Sequence, residues 1–442
     1  MLADAISSLP IFRLDGISHS LFYAPGYLVI VDSDQAKTFA VDLGHPLAIE
    51  LRHHAEAALQ KRAAQLIQPF APLCLTLYLN NTCHLACEYC YSTPAAPNQN
   101  HPKLSLNDIR TGAEAVAKQC AIQNCAMTVV FHGGGEPMLN QSSVQSALEV
   151  VTQVAAHYGL STFKYIATNG VMPTSKAAWM ADHFDLVGLS CDGPTWIQSR
   201  QRPLRDGRNS LEFVERTAQV LRERGKHFRV RVTLTPQSFL KQVEIAEYLC
   251  KTLKPAEIEV EPVYQGGYAS HAMGFVPEHA EIFVDNFFKA REIAHHYETA
   301  WLFSGSRPAE IHGPYCHVFR DVLNLIPGGL ATACFKGVDA GKLQQRGLSI
   351  GQQDATSGEF IFDEKQIQTL RQRLSIEPEP CLGCINRFHC VRGCPDQCPL
   401  DITAIDPPAG FRCRLLRLML ERQLWEFATQ MNGSNPKGVP IS

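Results

Sequence analysis

The sequence predicts an α/β protein: a parallel sheet preceded by a small α+β extension and followed by a cysteine-rich C-terminal domain. Three observations predict this. Strand-like and helical stretches alternate between residues 71 and 300, the stretch before them is short, and beyond residue 300 glycine, proline and cysteine become frequent while regular elements shorten. We therefore expect units at 1–70, 71–300 and 301–430, followed by a frayed tail at 431–442.

The first unit contains strand-like runs and one long helical stretch. Phe12–Leu14 and Tyr27–Val31 are apolar runs separated by glycine and proline, and Pro46–Gln68 is rich in Ala, Leu, Glu, Arg and Gln. A unit this small buries little apolar surface by itself. We therefore expect it to pack against the residues that follow.

The middle unit is predicted to form βαβ repeats. Six strand-like runs are Leu73–Leu79, Met127–Phe131, Lys164–Thr168, Leu186–Ser190, Phe228–Leu234 and Glu257–Val263. Helical stretches between them include Leu106–Gln119, Ser142–Tyr158 and Leu211–Arg224. Parallel strands end at one edge of their sheet, and active sites of such folds lie there.

Composition excludes several classes of protein. The chain has 442 residues, 45% hydrophobic and 19% charged, with a net charge of −3, so a disordered chain is excluded and no nucleic-acid partner is indicated. It shows no run of 18 apolar residues and no signal-peptide pattern, which predicts a cytoplasmic protein without a membrane partner. Sixteen cysteines in a reducing compartment indicate metal binding.

One group of cysteines directly follows the first predicted strand of the sheet. Cys83, Cys87 and Cys90 have the spacing C-x3-C-x2-C. Three thiolates on one short loop can bind three irons of a [4Fe–4S] cube and leave the fourth iron open to a ligand. A zinc knuckle or a set of reduced core thiols is the alternative.

Three further motifs close the next predicted strands in order. They are Gly133–Pro137 (GGGEP), Thr168–Gly170 (TNG) and Ser190–Pro194 (SCDGP). Bare glycine backbone lets a ligand approach closely, and a carboxylate pairs with an ammonium group. In this order, and together with the cysteine triad, these motifs resemble those of the radical S-adenosylmethionine superfamily.

The resemblance implies a partial (β/α)6 radical SAM barrel whose cofactors are S-adenosylmethionine and a [4Fe–4S] cluster. It implies that Cys83, Cys87 and Cys90 bind the cluster, that Glu136 meets the methionine amino group, and that Ser190 and Arg202 meet its carboxylate. The full set of implied cofactor contacts is Gly134, Gly135, Glu136, Thr168, Asn169, Ser190, Asp192 and Arg202. No catalytic side chain is predicted beyond the ligands of the radical-generating cluster.

Residues 301–430 resemble the SPASM domain, which carries two auxiliary Fe–S clusters, expected to be [4Fe–4S]. The matching cysteines are Cys316, Cys334, Cys381, Cys384, Cys390, Cys394 and Cys413. The resemblance assigns Cys381, Cys384, Cys390 and Cys413 to the second auxiliary cluster. It assigns Cys316, Cys334 and Cys394 to the first, whose fourth iron is either open or bound by Cys398 or His312. A zinc ribbon is the alternative for Cys381–Cys394.

The resemblance implies a peptide maturase that takes a hydrogen atom from a ribosomally made precursor peptide and oxidatively cross-links or otherwise modifies it. A flavodoxin or ferredoxin-type electron donor is the expected partner. The alternative is an enzyme that acts on a small molecule or oxidises a protein side chain, as sulfatase maturases do. That branch has a catalytic aspartate after the cysteine equivalent to Cys334, where this chain has Phe335. Residues 1–70 are either a reduced leader-peptide recognition element or a packing extension.

Overall fold

The computed structural model describes residues 9–42, 44–92, 94, 96–97, 102–263, 274–312, 317–337, 339–377, 379–390, 410–430 and 437–441. The N-terminal unit is an antiparallel sheet followed by two helices. Its strands are β1 (Phe12–Asp15), β2 (His19–Ala24) and β3 (Tyr27–Asp32), and its helices are α1 (Ala36–Val41) and α2 (Pro46–Ile67). The predicted strand runs and helix are present, with β2 added between them. Leu51 and Ala55 of α2 pack against Phe22 and Val29 of the sheet.

The predicted parallel sheet is confirmed. Its strands β4 to β9 pair side by side in chain order, all parallel. These strands are β4 (Cys74–Leu77), β5 (Met127–Phe131), β6 (Thr162–Thr168), β7 (Leu186–Ser190), β8 (Phe228–Leu234) and β9 (Glu257–Pro262). The accompanying helices are α3 (Leu106–Gln123), α4 (Gln141–His157), α5 (Thr174–His183), α6 (Thr195–Gln201), α7 (Leu211–Glu223), α8 (Gln242–Thr252) and α9 (His279–His296).

Local sequence explains where these elements begin and end. Ser105 and Asp108 form a reciprocal capping box at the start of α3, and Asn124 ends the helix with φ +50°. Val129 and Val230 lie at fully buried positions of β5 and β8, in the core between sheet and helices. The helices therefore cover the sheet and leave the carboxyl ends of its strands to form the site.

The same sheet continues beyond residue 300. Strand β10 (Ala300–Phe303) adds parallel to β9, and β11 (Val322–Ile326) adds parallel to β4. Antiparallel strands β12 (Leu330–Thr332), β13 (Ser349–Gln353) and β14 (Phe360–Phe362) extend the edge beyond β11. Short helices in this region are α10 (His317–Arg320), α11 (Ala340–Gln345), α12 (Glu364–Ser375) and α13 (Glu379–Leu382). The division expected at residue 300 therefore does not end the sheet.

The end of the chain differs from the prediction. A last helix, α14, spans Phe411–Gln430. Part of the expected frayed tail is a strand, β15 (Lys437–Pro440), antiparallel to β3. The outer edge of β3 offers N–H and C=O groups to a further strand, and Ile441, 6% exposed, packs with Leu21 and Leu28. Pairing and burial thus order these residues. None of the described helices is long and apolar enough to cross a lipid bilayer.

Candidate radical-generating site

A cavity of about 220 Å³ lies at the carboxyl ends of the parallel strands. It brings together residues that are far apart in the sequence. Those predicted from the motifs and found in its lining are Cys83, Cys87, Cys90, Gly134, Gly135, Glu136, Thr168, Asn169, Ser190 and Arg202. The strand-end placement expected from the βαβ pattern thus gives a single site.

The loop that carries Cys83, Cys87 and Cys90 (the cysteine loop) is held in place by the loop Gly133–Pro137 after β5 (the glycine loop). The backbone N–H of Gly135 donates to Asn80 O at 3.0 Å, and that of Glu136 donates to Thr82 O at 2.8 Å. A Cβ on Gly135 would overlap the Thr82 carbonyl, and Gly134 has φ +66°. The glycines are therefore required by the close approach of two loops, in addition to the room that they leave for a ligand.

The three cysteines of this loop carry free thiols. Burial, with Glu136 and the neighbouring thiols adding to it, raises the pKa of Cys83 to about 12. Burial likewise raises the pKa of Cys87 to about 11, against the effect of Arg202. Cys83 Sγ accepts hydrogen bonds from Leu85 N at 3.4 Å and Asn169 Nδ2 at 3.5 Å. Such donors stabilise a metal-bound thiolate.

The donor set fits an iron–sulfur cube better than a single metal ion. Within the described part of the chain, no three His, Cys, Asp or Glu side chains are close enough to share one ion. In a [4Fe–4S] cube each thiolate binds a different iron, so its ligands are spaced more widely than those of zinc. Cys83, Cys87 and Cys90 would hold the cube.

Glu136 joins the ends of β5 and β6. It is 3% exposed, and its Oε1 accepts from Met138 N at 3.0 Å and from Thr168 Oγ1 at 2.8 Å. Its Oε2 accepts from Asn169 N at 2.7 Å. Burial raises the pKa of Glu136, whereas these hydrogen bonds and Arg202 lower it. The carboxylate therefore orders the TNG turn and lines the cavity.

Arg202 is positioned through a tyrosine. Its Nη1 donates to Tyr89 Oη at 2.6 Å, and the Tyr89 hydroxyl donates to Asp192 Oδ2 at 2.6 Å. Asp192 is fully buried and also accepts from Thr233 N at 2.9 Å and Gln201 Nε2 at 2.8 Å. The structure thus places Asp192 behind Tyr89 and outside the cavity lining, unlike the other predicted contacts.

The cavity lining also contains residues that lie outside the predicted cofactor-binding motifs. They include His132, Arg231, Glu261 and Phe335. Burial and the positive charge of Arg231 lower the pKa of His132 to about 4, so its imidazole is neutral near pH 7. The Phe335 ring meets Tyr91 edge to face at 5.4 Å between centroids. His132 directly precedes the predicted glycine motif, and Phe335 directly follows Cys334. This proximity in the sequence is the feature from which these two cavity residues could have been predicted.

The C-terminal cysteines are described only in part. Cys316, Cys394 and Cys398 lie outside the described residues, whereas Cys334 is buried just after β12. Cys413 lies in the first turn of α14. Burial raises the pKa of Cys384, and the positive charge of Arg417, one turn beyond Cys413, opposes this in part. Asn386 is 2% exposed, and its side-chain O and N make no hydrogen bond with the described residues. A buried, unbonded amide beside these thiols fits a sulfur-rich group there.

His312, one of the candidates for the fourth position of the first cluster, is 2% exposed and lies 3.2 Å (Nε2) from Glu310 Oε2. The other cysteines of that cluster are outside the described residues, apart from Cys334. The choice between an open iron, Cys398 and His312 stays a prediction.

Comparison with known proteins identifies a domain that contains most of this site. Residues 77–249 match the model of the Radical SAM superfamily. The cysteine-type anaerobic sulfatase-maturating enzyme of Clostridium perfringens is 25% identical over 154 residues, which are 35% of this chain and 41% of that enzyme. The serine-type enzyme of Klebsiella aerogenes is 23% identical over 336 residues, 71% of this chain and 77% of the other. The chain spans 41–57% of the length of three of the curated relatives that it matches.

Solved structures share the fold. The anSMEcpe structure with bound AdoMet and Cp18Cys peptide has a TM-score of 0.63 and 18% identity, covering 82% of this chain and 100% of that one. Streptococcus suis SuiB bound to precursor peptide SuiA has a TM-score of 0.53 and 14% identity, covering 91% and 99%. The chain therefore contains a Radical SAM domain, with S-adenosylmethionine and an Fe–S cluster as its cofactors. The ordered motifs and the shared fold support an enzyme of the SPASM type.

Proposed function

We propose that this protein is a peptide-modifying radical SAM enzyme. The cluster and S-adenosylmethionine, when bound, would supply a 5′-deoxyadenosyl radical for abstraction of a hydrogen atom from the substrate, and the auxiliary clusters would take up the remaining electron. The peptide loses two hydrogen atoms when a cross-link forms. One goes to 5′-deoxyadenosine, and the other leaves as a proton and an electron.

One observation carries the proposal: Glu136 and Arg202 line the same cavity as the cysteine triad. The methionine part of S-adenosylmethionine has an ammonium and a carboxylate, which a carboxylate and a guanidinium complement. The Nε of Arg202 is buried and makes no hydrogen bond with the described residues. It is thus available to an anionic group in this cavity.

A peptide substrate is supported by the proteins that share the fold. SuiB is bound to a precursor peptide and anSMEcpe to the Cp18Cys peptide in their solved structures. Phe335 favours peptide maturation over the sulfatase type, because its apolar ring lines the cavity where the sulfatase-maturing branch has an aspartate. Two relatives are named sulfatase-maturating enzymes, so oxidation of a protein side chain is the second candidate.

The N-terminal unit bears on how a leader peptide docks. A leader that adds a strand to the outer edge of β3 would have to displace Lys437–Pro440, which already pair there. The roles of this unit in leader binding, and of a flavodoxin or ferredoxin-type donor in reduction, stay predictions.

The decisive experiment is anaerobic incubation of reconstituted enzyme with S-adenosylmethionine, dithionite and candidate peptides carrying deuterium on carbon. We expect deuterium in 5′-deoxyadenosine and a peptide lighter by two hydrogen atoms, both measured by mass spectrometry. The triple variant Cys83→Ala, Cys87→Ala, Cys90→Ala should form no 5′-deoxyadenosine, whereas Cys250→Ala, which removes a buried thiol of α8, should resemble the parent. 5′-Deoxyadenosine formation by the triple variant would contradict the site, and an unchanged product mass would contradict the oxidative reaction.

A further inference from the structure

The N-terminal unit packs against, and forms hydrogen bonds with, the segment that carries Cys381, Cys384 and Cys390. Arg62 of α2 is 5% exposed, and its Nη1 donates to His312 O at 2.9 Å and to Arg387 O at 3.1 Å. Its Nη2 forms an ion pair with Glu377, whose other carboxylate oxygen lies 2.6 Å from Arg387 Nη2. One guanidinium thus fixes both the backbone and the side chain of residue 387, between Cys384 and Cys390.

The same segment is packed as well as hydrogen-bonded. Phe388 is fully buried, and Arg62 Cζ and Arg387 Cζ each lie 5.5 Å from its ring centroid. Ile385 belongs to one apolar cluster with Leu21 and Leu28 of the N-terminal sheet. The turn from 384 to 387 is closed by Arg387 N donating to Cys384 O at 3.0 Å.

A second contact comes from the sheet itself. Tyr23 of β2 is fully buried, and its Oη lies 2.5 Å from His389 Nε2. His389 Nδ1 lies 2.7 Å from Glu310 O, so the ring is held at both nitrogens. His389 directly precedes Cys390, and the N-terminal unit therefore contacts the chain at several positions between Cys384 and Cys390.

We propose that Arg62 and Tyr23 are positioning residues for the second auxiliary cluster. Burying a guanidinium is costly unless it is paired. Three of the partners of Arg62 named above, Glu377, Arg387 and Phe388, lie in or beside the segment that carries these cysteines. Side chains that orient metal ligands affect metal affinity and the properties of the site. This gives residues 1–70 a role in holding the cluster segment, one that rests on Cys381, Cys384, Cys390 and Cys413 being its ligands.

The test uses the Cys83→Ala, Cys87→Ala, Cys90→Ala background, in which the remaining iron reports the auxiliary clusters. After anaerobic reconstitution, Arg62→Met should lose the iron of one cluster and the matching EPR signal of the reduced protein. Lys61→Met, a change at the exposed neighbour on the same helix, should keep both. Cys384→Ala is the reference for loss of that cluster.

Two milder variants cover the case in which Arg62→Met does not fold. Arg62→Lys keeps the charge but lacks the planar fork that serves two carbonyls and Glu377 at once. Tyr23→Phe removes only the hydroxyl. Both should fold and keep most iron, with a shifted EPR signal and reduction potential of the second auxiliary cluster.

The outcomes distinguish the positioning role of Arg62 and Tyr23 from the proposal that Cys381, Cys384, Cys390 and Cys413 bind the second auxiliary cluster. If Cys384→Ala loses iron while the Arg62 and Tyr23 variants keep parental iron, EPR signal and potential, the positioning role is overturned and the ligand proposal survives. If Cys384→Ala keeps all its iron, the ligand proposal fails and this inference fails with it.

Discussion

Single side chains in this site act largely by holding other side chains. Glu136 accepts three protein hydrogen bonds, and Tyr89 connects Arg202 to the buried Asp192. Groups that line the cavity are thus fixed before any ligand binds, which lowers the ordering cost of binding.

Tyr89→Phe tests this preorganisation. The change removes the hydroxyl that accepts from Arg202 and donates to Asp192, so Arg202 loses its fixed position. A hydrogen bond to a charged group contributes about 1.5–3 kcal/mol, so the Kd for S-adenosylmethionine should rise about tenfold or more without loss of iron. Equilibrium binding to the reconstituted protein measures this. The matched control is Tyr248→Phe, which loses a hydrogen bond to Glu215 outside the cavity lining, and equal affinities of both variants would refute the role of Tyr89.

His132 makes stability depend on pH. Its pKa is lowered from 6.5 to about 4, so at intermediate pH the unfolded chain binds a proton that the folded chain does not. Stability contributed by the neutral ring is present above pH 6.5 and decreases as pH falls toward 4. Denaturant unfolding at pH 7 and pH 5 should show a smaller acid loss for His132→Gln than for the parent. His157→Gln, at an exposed histidine, should behave as the parent; an unaltered acid loss in His132→Gln would contradict the assignment.

The sequence predicted the residues that follow a spacing rule and missed those defined by contact. Cys83 and Glu136 belong to motifs that are recognisable from the sequence alone. Arg231 and Glu261 line the cavity only because of the register between neighbouring strands. Asp192 shows the converse: its motif places it near the site, but the fold turns its carboxylate toward Tyr89.

At the scale of elements, the contact between the cysteine loop and the glycine loop determines where the three cysteines lie. Gly135→Ala places a Cβ against the Thr82 carbonyl, and because this is backbone the loop must move. Overpacking of this kind typically costs about 1–3 kcal/mol. We expect weakened retention of the radical-generating cluster, measured as iron per chain. Gly44→Ala, whose Cβ meets Asp42 at 3.5 Å in ordinary contact, should retain its iron. Full iron in Gly135→Ala would mean that the two loops are not coupled.

Strands and helices with local signals were predicted well, and those made by distant partners were not. Met127–Phe131 and Phe228–Leu234 coincide with β5 and β8 because apolar β-branched runs mark buried strands. By contrast, β15 contains glycine and proline and owes its order to β3, at the other end of the printed sequence.

At the scale of the whole molecule, the parallel sheet, its continuation and the N-terminal unit are linked by the last elements. Strand β15 pairs with β3, and α14 packs on both α9 and the N-terminal sheet. The units predicted from composition are therefore connected through shared sheets and cores.

Gly438→Val tests the attachment of β15. A side chain there would overlap the Tyr27 hydroxyl and meet Leu47 Cδ2 at 2.8 Å, so the strand should detach from β3. Amide hydrogen exchange in β3 should then become faster, since its edge opens to water. Pro440→Ala, at an exposed position of the same strand, should leave exchange unchanged. Parental protection of β3 in Gly438→Val would show that β15 does not shield it.

The pairing of β15 with β3 also has a consequence for biosynthesis. During translation, β3 is synthesised long before residues 437–440. Its outer edge therefore stays unpaired while the rest of the chain is made. An uncovered strand edge is a template for intermolecular pairing, and contacts of such large sequence separation form slowly. Nascent chains and fragments that end before β15 should therefore aggregate through β3, and the yield of soluble protein should depend on how fast the final residues reach that edge.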